Sequence, residues 1–227
     1  KIDEAYIQYK TLSTMLGNPF METVLVRLSQ IAYDKKEFET ALASFKQLQI
    51  IAEDPENVKA SKIGVLRCSF LLNNTKTTIA IANDILATKS IDQKLEREAR
   101  FYLTKSYLLN NEAEKALPDL KLLAKDLRTA SGAESKYLLA NYYFETANDK
   151  KAEDEITDFI QKGSSHQYWL ARSFILLADI YIKRGDDFQA KQYLLSLQEN
   201  YTTPDTIQDL VLERLEAINI RENNNLE

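Results

Sequence analysis

Small residues recur at nearly equal intervals along this chain, and this spacing constrains the fold more than any other feature. Successive members lie 36 to 38 residues apart, at Ala5, Ala41, Thr78, Ala116, Ala152 and Ala190. A unit of this length is too long for one helix and too short for an independent domain. It predicts a helix pair that is stable only when stacked on its neighbours. The chain is therefore predicted to be an array of repeats.

The residues around each small residue repeat as well. A bulky side chain follows most of them by one helical turn, at Tyr9, Phe45, Leu120, Ile156 and Leu194. Upstream, core residues recur at helical spacing, in Leu28-Ser29 with Ala32, Leu103-Thr104 with Tyr107, Leu139-Ala140 with Tyr143, and Leu177-Ala178 with Tyr181. Three prolines follow the small residue of their own unit at one fixed distance, at Pro19, Pro55 and Pro204. Each unit is thus predicted to be two helices and a separating turn.

This pattern resembles the tetratricopeptide repeat. The best unit contains Phe174, Leu177-Ala178, Tyr181, a Gly185-Asp186 turn, Ala190, Leu194 and Pro204. The resemblance is weakest around Thr78 and Ala82, where Asn73-Asn74-Thr75 stands in place of a Gly-Asp turn. It implies an all-α solenoid of stacked antiparallel helix pairs wound into a right-handed superhelix. The low glycine and proline content, with 5 and 4 residues, agrees with an all-α chain.

The register divides residues 1–220 into one continuous array. We expect a half repeat over 1–19, full repeats at about 22–55, 59–92, 97–130, 133–166 and 171–204, and a capping helix over 206–220. The remainder, 221–227, is expected to be a frayed polar tail, with Leu226-Glu227 either native or a vector-derived remnant. Because the chain enters in the middle of a unit, we expect it to be a fragment. We expect Pro118 to cause a kink or a late helix start.

The resemblance implies a binding groove lined by the first helix of each pair. In the register above, the residues that face it are expected to be Gln30, Tyr33, Arg67, Phe70, Phe101, Lys105, Tyr137, Asn141, Arg172 and Asp179. The aromatic rings would supply flat apolar contact, and the cationic groups would orient acidic groups of a partner. The alternative for each aromatic residue is packing within the array.

Two subgroup resemblances give opposite results. A carboxylate clamp for chaperone tails is not reproduced, because Tyr137 and Leu176 stand where lysine and asparagine or arginine would be needed. Long units that end in a tyrosine and proline linker, here Tyr201 to Pro204, look like those of bacterial envelope repeat proteins. This likeness slightly favours the periplasm or cell envelope over the cytoplasm.

The charge and the motif inventory exclude several function classes. A net charge of −5 without a basic run argues against nucleic acid as a ligand, and no apolar run approaches the length of a membrane span. No phosphate-binding, hydride-transfer, zinc-protease or serine-hydrolase motif is present. Paired acids are assigned to a solvated helix face at Glu153-Asp154-Glu155 and to a helix cap at Asp186-Asp187. A catalytic, metal or cofactor site is therefore not expected.

Two chemically reactive side chains are assigned to packing. His166 is the single histidine, and beside Tyr168 and Trp169 it is expected to form an aromatic staple against the preceding helix pair. Cys68 lies within a helical run and is expected to be a buried small hydrophobe.

The sequence therefore predicts a non-catalytic scaffold that is a monomer and binds a protein or peptide partner in its groove. One alternative is a helical-repeat region of a larger enzyme or envelope assembly machine. Another is self-association through the end units.

Overall fold

The computed structural model describes residues 1–224, and this part of the chain contains twelve α-helices. They are α1 (Ile2–Leu12), α2 (Met21–Asp34), α3 (Phe38–Ile51), α4 (Pro55–Leu71), α5 (Thr75–Leu86), α6 (Gln93–Leu109), α7 (Ala113–Leu123), α8 (Ala130–Glu145), α9 (Asp149–Lys162), α10 (Gln167–Lys183), α11 (Asp187–Asn200) and α12 (Ile207–Asn224). Consecutive helices joined by tight turns pack as antiparallel pairs. The all-α fold of stacked helix pairs is confirmed.

The chain divides into two compact units, one from Lys1 to Ala116 and one from Leu117 onward. Unit 1 contains α1, the pairs α2–α3 and α4–α5, and α6; its core includes Leu25, Leu48 and Leu66, which are at most 1% exposed. Unit 2 contains the pairs α8–α9 and α10–α11 and ends with α12. The winding of the array and its continuity over residues 1–220 stay predictions.

The turn within each helix pair uses the same backbone conformation. One residue has a positive φ in every such turn, at Lys36, Asn73, Asn111, Ala147 and Gly185. The Asn73-Asn74 segment, which looks irregular in sequence, matches Gly185-Asp186 because Asn73 has a φ of 54° and Asn74 accepts a hydrogen bond from the Thr77 amide. Asparagine tolerates this left-handed conformation better than most residues. The poorest sequence match is thus a regular repeat.

The small residues that set the period are buried between packed helices, with one exception. Ala41, Thr78, Ala116, Ala152 and Ala190 are completely buried, whereas Ala5 is half-buried. Complete burial of so small a side chain means that neighbouring helices leave no room at that point. This burial agrees with the predicted spacing from Ala41 to Ala190, and the repeat boundaries stay predictions.

We expect Ala190→Leu to lower the free energy of unfolding by about 1–3 kcal/mol, because the added atoms must push the paired helices apart. Ala152→Leu should behave alike. Ala43 is exposed on α3, so Ala43→Leu is the matched control and should change stability by less than about 0.5 kcal/mol. Urea denaturation measures all three. Equal stability of Ala190→Leu and Ala43→Leu would show that the register is wrong.

Three local expectations are corrected by the structure. The first helices α4, α6, α8 and α10 begin about one turn before the predicted starts of their repeats, for example α6 at Gln93 and α10 at Gln167, whereas α2 begins at Met21, close to its predicted start. A late helix start at Pro118 is wrong, because α7 begins at Ala113 and contains Pro118 in its middle; the kink stays a prediction.

The expected frayed tail is also wrong as far as Asn224. Helix α12 continues past Ile220, and Arg221 donates two hydrogen bonds to Asp187 at 2.7 and 3.0 Å. The ion pair ties the last turn of α12 to the start of α11. Residues 225–227, with Leu226-Glu227, lie outside the described part of the chain.

The predicted cap is present as α12. Ile207, Val211 and Ile218 are fully buried against residues of α10 and α11, whereas Asp209, Glu213 and Glu216 are exposed. A helix with one apolar and one polar face closes the core of unit 2. None of the helices from residue 1 to 224 combines the length and hydropathy needed to cross a membrane.

Candidate functional site

The first helix of each pair forms a layer of its own within each unit. In unit 1, α4 packs against both α2 and α6, and in unit 2, α10 packs against both α8 and α12. We call these two surfaces the first-helix face of unit 1 and the first-helix face of unit 2. All ten residues of the predicted groove lie on these helices.

Three of the predicted residues converge on one cavity in unit 1. A pocket of about 210 Å³ is lined by Gln30, Tyr33, Phe45, Ala60, Ile63, Gly64 and Arg67. Gln30 is exposed at its rim, where its side-chain amide donates to Asp34 at 2.9 Å. Tyr33 is half-buried against Phe38, with the ring centroids 5.7 Å apart. The pocket thus combines an aromatic wall with polar groups at its opening.

The floor of this pocket depends on Gly64. A Cβ atom at this position would lie 2.4 Å from three ring atoms of Phe45. No side chain other than hydrogen fits there, so the Phe45 ring lies directly on the backbone of α4. Gly64 therefore allows α3 and α4 to approach closely beneath the pocket.

Arg67 has a different role from the one predicted. Its Nε and Nη2 donate to the two carboxylate oxygens of Glu98 at 2.6 and 2.8 Å, which makes a bidentate ion pair between α4 and α6. A guanidinium group with its own carboxylate partner positions neighbouring helices and leaves less charge for a ligand. Glu98 could not be found from the repeat spacing, because it lies 31 residues after Arg67 and not one full repeat away.

An aromatic cluster continues the face from α4 to α6. The ring of Phe70 lies 4.5 Å from that of Tyr102, which in turn lies 6.0 Å from Phe101. Burial raises the pKa of Tyr102 to about 12. The Nζ atom of Lys105 lies 5.9 Å above the Phe101 ring. Tyr102, which the sequence analysis missed, is thus the central ring of this cluster, and the predicted Phe101 is its neighbour.

In unit 2, the predicted Tyr137 and Arg172 form part of a packed aromatic group. Tyr137 is only 8% exposed and its ring lies 5.6 Å from Trp169. The guanidinium carbon of Arg172 lies 4.9 Å from the centroid of the Tyr137 ring, and Nη2 donates to the Tyr137 hydroxyl at 2.6 Å. Another donor of Arg172 contacts the hydroxyl of Tyr168 at 3.3 Å. This placement favours packing within unit 2 over a free contact surface for Tyr137.

The remaining predicted residues of unit 2 are Asp179, which is paired, and Asn141, which is half-buried. Asp179 accepts two hydrogen bonds from Arg214 of α12 at 2.7 and 3.0 Å, so it also ties two neighbouring first helices together. Asn141 is half-buried on α8, one turn beyond Tyr137. Each unit therefore uses a bidentate arginine–carboxylate pair to fix its first-helix face.

The chemically reactive side chains lie where packing predicts. The packing part of the predicted staple is made by Trp169, whose ring lies against Tyr137, whereas the His166 ring makes a polar contact with the carbonyl oxygen of Arg128 at 3.2 Å. Cys68 is fully buried, and desolvation raises its pKa to about 11, which disfavours the reactive thiolate. Within residues 1–224, no three metal-ligating side chains are grouped as a metal site would require.

The acidic triplet on α9 is only partly a solvated face. Asp154 is exposed, but Glu153 accepts from Arg184 at 2.8 Å, and Glu155 accepts from the buried Lys136. The helix-cap assignment at the next acidic pair is confirmed for Asp186, whose carboxylate accepts from the Gln189 amide at 3.0 Å.

Comparison with known proteins gives a likeness in fold. No protein-family model and no curated protein matches the chain. The solved structure of BtubC (BKLC) from P. vanneervenii is similar with a TM-score of 0.56 and 13% identity, over 90% of this chain and 92% of that one. A tetratricopeptide repeat protein from Parabacteroides merdae aligns with a TM-score of 0.47 and 13% identity, over 94% and 92%. The helix-pair architecture predicted by the tetratricopeptide resemblance is thus confirmed as the fold of this chain.

Proposed function

We propose that this chain is a non-catalytic interaction module that binds a peptide or protein partner on its first-helix faces. The observation that carries the proposal is the pocket of about 210 Å³ in unit 1, where Gln30, Tyr33 and Arg67 meet over the floor formed by Phe45 and Gly64. A partly apolar pocket with a few polar groups at its rim suits one anchoring side chain of a partner.

The arrangement around the pocket supports binding without rearrangement. The ion pair between Arg67 and Glu98 and the ring contact between Phe70 and Tyr102 fix the neighbouring first helices. A surface that is already ordered loses little conformational entropy when a partner binds. Unit 1 is therefore the part of the chain in which we place the principal contact.

We expect a photo-reactive benzoylphenylalanine in place of Gln30 to form covalent adducts with a partner in lysate of the source organism. The same group in place of Lys46, which is exposed on α3, is the control and should form none of these adducts. Excess unmodified chain should compete for the adduct. Excess Tyr33→Ala chain should compete at least about tenfold less well, as expected when an aromatic anchor is removed. Identical adducts from both positions, or equal competition by both chains, would contradict the proposal.

A further inference from the structure

Unit 1 contains a second pocket, away from its first-helix face, where α4, α5 and the start of α6 meet. Its volume is about 280 Å³. The apolar part is formed by Val58, Ile85, Ile91 and Leu95, and two lysines of α4, Lys59 and Lys62, complete the wall. Ile85 is only 3% exposed, so the pocket reaches down to the core of unit 1.

Comparison with the equivalent position in the α10–α11 repeat shows which side chains this pocket lacks. Aligning Pro55 with Gln167 at the start of the first helices also aligns Asn74 with Asp186, and both of these cap the second helix of their pair. In this alignment Val58 corresponds to Leu170 and Ile85 to Leu197. Leu170 and Leu197 line a smaller pocket of about 170 Å³ in unit 2.

Two aromatic side chains line the pocket in unit 2 at positions where unit 1 has lysine. Phe174 corresponds to Lys62, and Tyr201, which is 9% exposed, corresponds to Lys89. The second helix also ends earlier in unit 1, since α5 stops at Leu86 while α11 continues through Asn200. The α4–α5 repeat therefore retains the apolar floor of the site without the aromatic rings that cover it in the α10–α11 repeat.

The charges around the larger pocket favour an anionic occupant. Lys62 is already paired with Asp84 at 2.6 Å. Lys59 is exposed in the lining of the pocket, and it has no ion-pair partner within residues 1–224. The carboxylate of Asp92, on the opposite wall, accepts hydrogen bonds from the Lys94 and Leu95 amides at 3.0 Å and caps α6. Two lysines and one carboxylate thus line the pocket, and Lys59 is left to meet an anionic group of an occupant.

We propose that this pocket binds an acidic-aromatic segment of a protein partner, in which an aromatic side chain enters the pocket and a flanking Asp or Glu side chain meets Lys59. The aromatic ring supplies the apolar surface that Phe174 and Tyr201 supply in the other repeat. The flanking carboxylate complements the charge of Lys59. This inference rests on the proposed function as an interaction module, and it adds a second contact site and the chemistry of its ligand.

The test uses the whole chain with ¹³C-labelled isoleucine δ-methyl groups and a capped peptide of sequence Gly-Asp-Phe-Glu-Gly as the probe. We expect saturable shifts of the Ile85 and Ile91 methyl signals, and no shift of Ile175, which is buried in unit 2. The uncharged probe Gly-Asn-Phe-Gln-Gly should bind at least about tenfold more weakly, and added salt should reduce this difference.

Variants separate this site from the rest of the chain. Lys62→Phe places an aromatic ring where Phe174 lies in the other repeat, and should weaken binding of the acidic probe at least about tenfold. Lys59→Glu should weaken it by a similar factor without filling the pocket, and Lys46→Glu on α3 is the matched charge control, expected to bind as wild type. Thermal melts establish that each variant is folded.

Three outcomes would overturn the inference: no saturable shift at Ile85 and Ile91, unchanged affinity in folded Lys59→Glu, or tighter binding of octanoate than of the peptide at the same methyl groups. The last would assign the pocket to an acyl anion. Because the photo-reactive group at Gln30 lies at the other pocket, failure here leaves the test of the proposed function unaffected.

Discussion

Replacing Lys136 by methionine is expected to lower the free energy of unfolding by about 3 kcal/mol at neutral pH. Lys136 is 5% exposed on α8, and its Nζ contacts carboxylate oxygens of both Glu155 and Asp158 on α9, the latter at 2.6 Å. Methionine removes the cation and leaves two carboxylates close together. Loss of one partner of a buried ion pair costs about 3–5 kcal/mol, and partial hydration of the two acids places this case at the lower end.

The pH dependence of this loss distinguishes electrostatics from packing. Hydrogen bonding to Lys136, and then to Lys162, holds the pKa of Asp158 below its ordinary value of 3.8. Because the unfolded chain binds this proton more readily, the contribution to stability is present above pH 3.8 and is lost as the pH falls through the lower, folded-state pKa. The difference in free energy of unfolding between wild type and Lys136→Met should therefore become smaller as the pH is lowered.

Urea denaturation between pH 7 and pH 3 measures both effects. The variant Lys136→Met with Glu155→Gln and Asp158→Asn is the control, and should recover part of the lost stability because it carries no unpaired charge. A loss that is the same at every pH, and the same in the triple variant, would assign the effect to packing and contradict the electrostatic account.

Replacing Gly132 by alanine is expected to cost about 3 kcal/mol, the upper end of the usual range for overpacking. Gly132 lies in the first turn of α8, and a Cβ atom there would be 2.0 Å from the carbonyl oxygen of Asp126 and 2.9 Å from that of Leu123. Both contacts are with backbone atoms, so a side-chain rotation cannot relieve them. The segment before α8 would have to move.

The sign of this effect is informative, because helix propensity predicts the opposite. In a helix, alanine is favoured over glycine by about 1 kcal/mol, so propensity alone would make Gly132→Ala stabilising. The neighbouring change Ser131→Ala is the control and should alter stability by less than about 0.5 kcal/mol. A more stable Gly132→Ala variant in urea denaturation would show that the loop before α8 is farther away than the structure places it.

The repeat pattern predicted the fold because close packing of paired helices requires a small residue at one particular position in each unit. A completely buried alanine such as Ala152 or Ala190 is needed wherever two helix axes approach, and this need recurs once per unit. The turns were harder to predict from the sequence. Asn73 has a positive φ, as Gly185 has in the clearest unit, although the two residues share no side-chain feature.

The candidate site was less predictable, because its parts depend on which neighbours meet across helices. Tyr33 and Arg67 were placed on the correct helices, but the pairing of Arg67 with Glu98 needs the rotation of α4 relative to α6. The central ring of the cluster is Tyr102 and not Phe101, since a shift of one residue turns a helical side chain by about 100°. Sequence periodicity predicts which side of a helix faces the groove to within about one residue. It does not predict which side chains of neighbouring helices touch.

The second pocket could not be read from the sequence, since its recognition requires the ends of two second helices. The correspondence of Lys62 with Phe174 becomes meaningful only when both line equivalent cavities. A lysine in an amphipathic helix otherwise looks like an ordinary surface residue.

Hydrogen–deuterium exchange of the chain, alone and with the partner recovered through Gln30, tests whether the first-helix face of unit 1 binds that partner. We expect slower exchange in the segments of α2, α4 and α6 that contain Tyr33, Arg67 and Tyr102, with the exposed outer side of α3 around Lys46 unchanged. Slower exchange confined to α3 and α5, with α2 and α4 unaffected, would contradict the assignment of the first-helix face of unit 1 as the partner-binding surface.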